Sequence, residues 1–186
     1  AIQEETPIRT NVLNDTNEAV SYLRSLLQKY KNGEISEVAY DLEYETTMGD
    51  GSDVERLSNF DVFNPDKKLV AASFATDTEE GFSIPLYNVD SQVDWDTVAP
   101  YLREVVSTIP IVCHGFLKAE GPWTKQKLGV VPNLHRDTML MSYACFMRTR
   151  SHGLKVLARD LLGWSDWSTP SSAWLNSQPP ETRSYR

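Results

Sequence analysis

The sequence SEVAYDLEY, at residues 36–44, places two carboxylates two positions apart inside an otherwise apolar, strand-like segment. Successive side chains of a strand point to opposite faces, so Asp41 and Glu43 share one face while Tyr40 and Leu42 share the other. Two like charges beside a core need compensation, which divalent cations bound by oxygen ligands supply. Paired cations of this kind can hydrolyse a phosphodiester. An ordinary solvent-exposed strand face would show the same local pattern.

The D-x-E pattern alone has low specificity, because the chain repeats it at residues 53–55 and 77–79. Both further copies lie in polar segments rich in turn-forming residues, which indicates solvated carboxylates. The copy at residues 41–43 differs because strand-forming apolar residues flank it. It is therefore the candidate for a functional site.

The length of 186 residues fits one domain with a substantial core. A net charge of −8 argues against a broad basic surface for duplex nucleic acid, although it is compatible with a nuclease whose acids bind cations. The two cysteines, Cys113 and Cys145, form no C-x-x-C pair, so we expect a reducing, cytoplasmic location and no structural zinc site. We expect no membrane association, because no apolar run is long enough to span a bilayer.

Hydrophobic periodicity predicts alternating strands and helices. A helix should begin near Asp15 or Thr16 and end at Asn32-Gly33, after an extended lead-in over residues 1–14. Further elements are predicted after the strand at 36–44: strands at 68–76, 82–87 and 109–113, and helices at 95–106, 122–128, 138–147 and 153–162. Residues 45–66 should form a long polar loop. This order predicts an α/β layer structure with a mixed sheet.

Residues 114–122 read HGFLKAEGP, which aligns without a gap with the motif H-N-x-x-K-[FY]-D followed by proline. Together with D-x-E at residues 41–43, it resembles the proofreading 3'-5' exonuclease domain of phage-type family A DNA polymerases, within the DEDD exonucleases. The segments that begin at Asp137 and His152 resemble that family's D-T-x-x-x-[SA] and H-x-L-x-x-L-A segments. The resemblance covers residues 15–165 and implies a ribonuclease H-like fold, α/β with a mixed central sheet flanked by helices.

The second motif departs from the family pattern at three positions. Gly115 replaces the usual Asn, Ala119 the usual aromatic residue, and Glu120 the usual Asp. Glu is one methylene longer, so its carboxylate could still reach the site, directly or through water. Alternatively the motif has decayed, or Ala119 marks the acid's position under a one-residue shift. We prefer Glu120, because Lys118 and Pro122 then fall in register.

The family's third motif, [YH]-x-x-x-D, does not follow Gly163. We interpret residues 1–186 as a single exonuclease-like domain, an N-terminal fragment of a longer polymerase whose third motif lies beyond Arg186. A degenerate, non-catalytic domain is the other interpretation.

The resemblance implies two Mg²⁺ or Mn²⁺ ions bound by three acids, which are also the catalytic residues. Asp41 would bridge both ions, Glu43 would bind the ion that activates water, and Glu120 would contribute to the other. The substrate implied is the 3' end of a single strand of DNA. By position, the candidate substrate contacts are Tyr44, Thr47, His114, Phe116 and Lys118.

Those contact residues have alternative roles. Each can serve in core or loop packing, His114 can cap a strand end by hydrogen bonding, and Lys118 can be solvated. Phe116 fits core packing better than substrate contact.

The resemblance therefore implies a proofreading exonuclease domain inside a phage-infected or bacterial cell, joined to the polymerase domain of the same chain. One alternative is a ribonuclease D-type enzyme that acts on RNA 3' ends. Another is a pseudo-exonuclease that binds a primer strand or braces the polymerase.

Overall fold

The computed structural model describes residues 8–45, 61–87, 90–146 and 151–164, and the single residues 173 and 177. Within them, a mixed sheet has the strand order β1-β4-β3-β2-β5-β6. Strand β2 is antiparallel to β3, β3 is antiparallel to β4, and the pairs β2/β5, β5/β6 and β1/β4 are parallel. The strands are β1 (Arg9–Val12), β2 (Val38–Tyr44), β3 (Leu69–Ala75), β4 (Glu80–Pro85), β5 (Ile111–Cys113) and β6 (Leu134–Asp137).

Helices flank this sheet, which confirms the predicted α/β layers. They are α1 (Thr16–Lys31), α2 (Trp95–Thr108), α3 (Glu120–Leu128), α4 (Thr138–Cys145) and α5 (Leu154–Leu157). A short 3-10 helix covers Asp61–Phe63, and a π-helical segment, Ala158–Leu162, continues α5. In the part of the chain that the structure describes, no helix is both long and apolar enough to cross a bilayer.

Helix α1 shows how sequence signals produce an element here. The carboxylate of Asp15 accepts hydrogen bonds from the amides of Asn17 and Glu18, at 2.8 and 3.1 Å, and so caps the helix start. The helix ends before Gly33, whose φ of 74° lies in the left-handed region that favours glycine. The predicted start and end of this helix are therefore confirmed.

The hydrophobic core lies between one face of the sheet and helices α1 and α2. Strand β2 contributes its alternate residues, Val38, Tyr40 and Leu42, all of which are buried. Leu23 of α1 and Val105 of α2 are fully buried against the same face. The opposite face of β2 stays open to solvent, and it carries the two acids of the D-x-E segment.

Two strands were missed by the sequence prediction. The segment predicted as an extended lead-in contains β1, and β6 precedes the helix predicted at 138–147. Both are short, exposed strands at the sheet's ends, with sequences RTNV and LHRD, so they lack the apolar alternation that marks a strand. In addition, α3 begins at Glu120 rather than Pro122, and residues 46–60 of the predicted loop lie outside the described residues.

Replacing Leu23 by Ala should lower the free energy of unfolding by about 2–5 kcal/mol, because it leaves a cavity at a fully buried site. Urea denaturation measures the loss. Leu117→Ala is the control, because Leu117 is 74% exposed and its truncation should change stability by less than about 0.5 kcal/mol. Equal effects of the two substitutions would contradict this description of the core.

Candidate active site

The two acids of β2 stand on the open face of the sheet, beside small neighbours. Asp41 pairs with Ser73 of β3, and Glu43 pairs with Ala71. Because directly opposed residues share a face, these small side chains leave space next to the carboxylates. A groove of about 480 Å³ crosses this face, and its lining includes Asp41, Ser73 and His114. Asp41, the first acid of the motif, therefore lies in a cleft that an extended ligand can enter.

The electrostatic surroundings of these acids favour a cation. Asp41 and Glu43 are both exposed residues. Partial burial of its carboxylate nevertheless raises the pKa of Asp41. Burial and then the negative charge of Asp41 raise the pKa of Glu43. Among the described residues, neither acid forms an ion pair with a basic side chain. Two adjacent carboxylates without a positive partner are a recognised feature of functional sites.

Glu120 is the first residue of α3 and is only 3% exposed. Its pKa is raised to about 7, chiefly by burial; its own backbone amide opposes the rise, and the negative charges of Asp41, Asp137 and Glu43 add to it. Its Oε2 atom is buried and has no hydrogen-bond partner. This third acid is therefore electrostatically coupled to the first two, and about half protonated near neutral pH.

Contacts with β2 fix the start of α3. The hydroxyl of Tyr40 hydrogen-bonds to the hydroxyl of Thr124 at 3.0 Å, and the ring of Tyr44 stacks on Trp123 with centroids 4.3 Å apart. Both pairs join the helix to the strand that carries the D-x-E segment. Glu120 is consequently held near that strand by the packing of its own helix.

Phe116 and Gly121 pack together inside the second motif. A Cβ atom at Gly121 would lie 2.8 Å from the ring of Phe116 and 2.9 Å from its carbonyl oxygen, so only glycine fits there. The Phe116 ring is half-buried and packs against the core. This placement matches the core-packing alternative that the sequence left open for Phe116.

Asp137 anchors the loop of the second motif. Its carboxylate accepts hydrogen bonds from the amides of Gly115 and Phe116, each at 2.9 Å, and from those of Met139 and Leu140 at the start of α4. Burial alone would raise the pKa of Asp137, but these backbone hydrogen bonds outweigh it and lower the pKa. The sequence prediction missed this role, although an Asp directly before a helix is a capping signal.

The backbone at Gly115 accounts for one departure from the family motif. Its φ is 84°, in the left-handed region that glycine adopts without steric cost and that asparagine tolerates better than other residues. The Gly115 amide then points at Asp137. Gly115 therefore has the backbone freedom that this turn requires.

The remaining predicted contact residues occupy different environments. The Nδ1 atom of His114 lies 2.9 Å from the Thr138 hydroxyl, and burial lowers the pKa of the imidazole, against opposing effects of Asp137 and the backbone of His152. His114 thus lines the groove and is held there by Thr138. Lys118 is exposed, and Tyr44 is half-buried on Trp123. Thr47 lies outside the described residues.

The fit of a metal ion can be judged from the donor atoms. Oxygen donors without basic partners, and the orphaned Oε2 of Glu120, suit a hard divalent cation. Within the described ranges, however, no group of three or more His, Cys, Asp or Glu side chains lies close enough together to hold one ion. The donor chemistry therefore fits, and the three-acid ligand set stays a prediction.

No protein-family model matches the sequence, and the comparison with curated proteins gives no match. Solved structures are similar in fold. The catalytic core of RRP6 from Trypanosoma brucei aligns with a TM-score of 0.58 at 14% identity, covering 100% of this chain and 45% of that chain. RNase D from Escherichia coli aligns with a TM-score of 0.59 at 14% identity, covering 88% of this chain and 36% of that chain. Brucella melitensis NrnC with bound Mg²⁺ aligns with a TM-score of 0.51 at 16% identity, covering 85% of this chain and 62% of that chain.

The chain has the ribonuclease H-like fold of these nucleases. The fold class predicted from the sequence is thereby confirmed. The chain spans less than two thirds of the length of each of these three structures, and sequence identities of this size establish the fold alone.

In metal-free buffer, stability should fall as the pH rises from about 5 to 8. Because the pKa of Glu120 is raised, the folded state holds a proton that the unfolded state has already released. The loss of stability therefore begins above pH 4.5, the ordinary pKa of glutamate, and is complete above about pH 7. This shift corresponds to about 3 kcal/mol at most. Urea denaturation at several pH values should show a smaller decline for Glu120→Gln; identical pH profiles would contradict the assignment.

Asp137→Ala should lower the free energy of unfolding by about 2–4 kcal/mol, because it leaves amides of two segments without an acceptor. Asp15→Ala is the matched control, since it removes only an exposed helix cap and should cost about 1 kcal/mol. The contribution of Asp137 to the free energy of unfolding is fully present above pH 4 and is lost as the pH falls through the lowered pKa of this residue. Urea denaturation of both variants at pH 7 and pH 3 checks the magnitude and the sign.

Proposed function

We propose that this chain is a divalent-metal-dependent 3'-5' exonuclease domain that acts on single-stranded 3' ends. The observation that carries the proposal is the uncompensated pair Asp41 and Glu43 on the central strand, with the buried acid Glu120 electrostatically coupled to both. The fold is also that of the E. coli structure described as an exoribonuclease involved in structured RNA processing.

The residues present suggest how the site would work. Asp41 and Glu43 would hold the metal from the open face of β2, and Glu120 would join as its proton leaves. Bound divalent ions supply an activated water and stabilise the leaving 3' oxygen. His114, which lines the same groove as Asp41, would contact the terminal nucleotide. In this arrangement no side chain has to act as a covalent nucleophile.

The choice between DNA and RNA as the substrate is the more specific part of the proposal. The gapless match of residues 114–122 to the polymerase motif favours single-stranded DNA, as the proofreading domain of a longer polymerase. The similar structures named as ribonucleases favour RNA instead, in the manner of ribonuclease D. We propose DNA as the substrate and RNA as the competing assignment, and parallel assays with both separate them.

A second candidate function is non-catalytic binding of a primer strand. It is favoured by the buried position of Glu120 and by the absence, among the described residues, of a group of three metal-ligating side chains. This candidate requires nucleic-acid binding without any shortening of the strand. The same assay therefore distinguishes the two.

The whole protein that carries these residues should shorten a 5'-labelled single strand from its 3' end when Mn²⁺ is added. Asp41→Ala and Glu43→Ala should each lower the rate by about 100-fold or more, because each removes a metal ligand. Gel electrophoresis of the labelled DNA, and of RNA of the same sequence, measures the rates.

Glu79→Ala is the matched control, because Glu79 is the exposed acid of another D-x-E copy and lies in a turn. Its rate should equal that of the wild type. Undiminished digestion by the Asp41 and Glu43 variants would defeat the proposal. Binding without digestion in every case would favour the primer-binding candidate.

A further inference from the structure

A second cavity, of about 300 Å³, opens beyond the carboxyl end of β2. Three lysines and two aromatic residues line it, over a floor that includes Leu69 and Leu86. We call it the lysine–aromatic pocket, and the five residues are Lys67, Lys68, Lys127, Tyr87 and Trp95. A chain with a net charge of −8 thus gathers three ammonium groups around one cavity.

The ammonium groups keep donors available for an anion. Lys127 Nζ donates one hydrogen bond to the carbonyl of Asn64 at 2.6 Å, and Lys68 Nζ donates one to the carbonyl of Pro65 at 3.2 Å. An ammonium group has three N–H donors, so neither carbonyl exhausts its lysine. Both partners are uncharged, and the positive charges are therefore not neutralised by these bonds.

Charges of both signs lie near Lys127, and Glu45 Oε2 also accepts a hydrogen bond from the backbone amide of Lys68 at 3.1 Å. Burial and then the nearby charge of Lys68 lower the pKa of Lys127, while Asp66 and Glu45 oppose that shift. Neither acid lines the pocket. An anion that enters would relieve the repulsion between the two lysines.

The aromatic side chains give the pocket a second chemistry. Tyr87 is 52% exposed and Trp95 is half-buried, and both line the cavity. Bases of single strands stack on such rings, while lysines beside them bind the backbone phosphates. A lysine cluster alone would suit any anion, but lysines beside an exposed ring, that of Tyr87, match a phosphate joined to a base.

The pocket adjoins the candidate active site through β2 itself. Tyr44 pairs with Leu69 of the pocket floor, and the amide of Glu45 donates to the carbonyl of Lys68 at 3.0 Å. Glu45 follows Glu43 by two positions, which is about 7 Å along a strand. The floor residues Leu69 and Leu86 belong to the core side of the sheet, whereas Asp41 and Glu43 lie on its opposite face, so a strand that reaches both sites has to pass around the carboxyl end of β2.

A stack of side chains makes a second connection. The Tyr44 ring lies 4.3 Å from that of Trp123, and Lys127 Nζ lies 5.5 Å from the centre of the Trp123 ring. The pocket is thus built on the same helix, α3, that begins with Glu120.

We propose that the lysine–aromatic pocket binds a phosphate and an adjoining base of the single strand whose 3' end occupies the carboxylate site. The proposal rests on the proposed exonuclease function and adds a binding site upstream of the reacting end. It gives an acidic protein a local means of holding a polyanion.

Binding in EDTA tests the pocket without hydrolysis. The probe is a 5'-fluorescein-labelled single strand of DNA, followed by fluorescence anisotropy with the whole protein. The double variant Lys67→Gln, Lys68→Gln should bind about tenfold more weakly at 0.1 M salt, and the slope of log K against log salt should fall by about 0.7 for each phosphate that no longer meets a lysine. Lys125→Gln is the matched control, because Lys125 is an exposed lysine of α3 that does not line the pocket.

Tyr87 variants test the stacking component. Tyr87→Ala should weaken binding by about fivefold or more, whereas Tyr87→Phe should bind like the wild type, because the ring and not the hydroxyl stacks on the base. Tyr87 is an exposed residue, so neither change threatens the fold. Affinities within twofold of the wild type for both the double lysine variant and Tyr87→Ala would overturn the proposal, as would an equal loss of affinity in Lys125→Gln.

Inorganic phosphate and deoxyadenosine monophosphate, used as competitors, separate the two sources of phosphate. If millimolar concentrations of either displace the strand only weakly, the pocket recognises a strand. If the monophosphate binds as tightly as the strand and depends on the same lysines, the pocket serves free nucleotides and the strand proposal fails.

The digestion assay keeps this proposal separate from the proposed function. Loss of strand affinity in the lysine variants, with no Mn²⁺-dependent digestion by the wild type, would retain the pocket and reject the exonuclease. Normal digestion by the wild type, together with unchanged strand affinity in the lysine variants, would retain the exonuclease and reject the pocket.

Discussion

Strand β2 must satisfy two environments at once, and the rest of the structure depends on how it does so. Its alternate residues Val38, Tyr40 and Leu42 are buried against the helices, which fixes the register of the strand. The same register commits Asp41 and Glu43 to the opposite face, beside small residues of β3. The burial of these apolar side chains therefore also keeps the two carboxylates together, against their mutual repulsion.

The second motif is held by contacts rather than by regular secondary structure. Asp137 accepts hydrogen bonds from the loop at Gly115 and from the start of α4, so it links the loop that follows β5 to that helix. The position of Glu120 then follows from α3, which is bound to β2 through Tyr40 and Thr124. Three acids distant in sequence are thus coupled through packing and backbone hydrogen bonds.

Local patterns predicted much of this arrangement, and non-local contacts account for what they did not predict. Helix α1, the hairpin of β3 and β4, and the D-x-E face all follow from periodicity and caps within a few residues. The polar strand β1 pairs with β4, about seventy residues away, and its own residues carry no local strand signal. The burial of Glu120 depends likewise on packing that the motif does not encode, and the lysines of the second pocket come from two distant segments, Lys67-Lys68 and Lys127.

The two outermost strands of the described sheet have a consequence for self-association. An unpaired strand edge is a template on which another chain can extend the sheet, and flat apolar edges are the most hazardous. Here β1 reads RTNV and β6 reads LHRD, so cationic and hydrogen-bonding side chains occupy both edges. The weak strand signals of these segments thus coincide with a composition that discourages intermolecular sheet growth and aggregation.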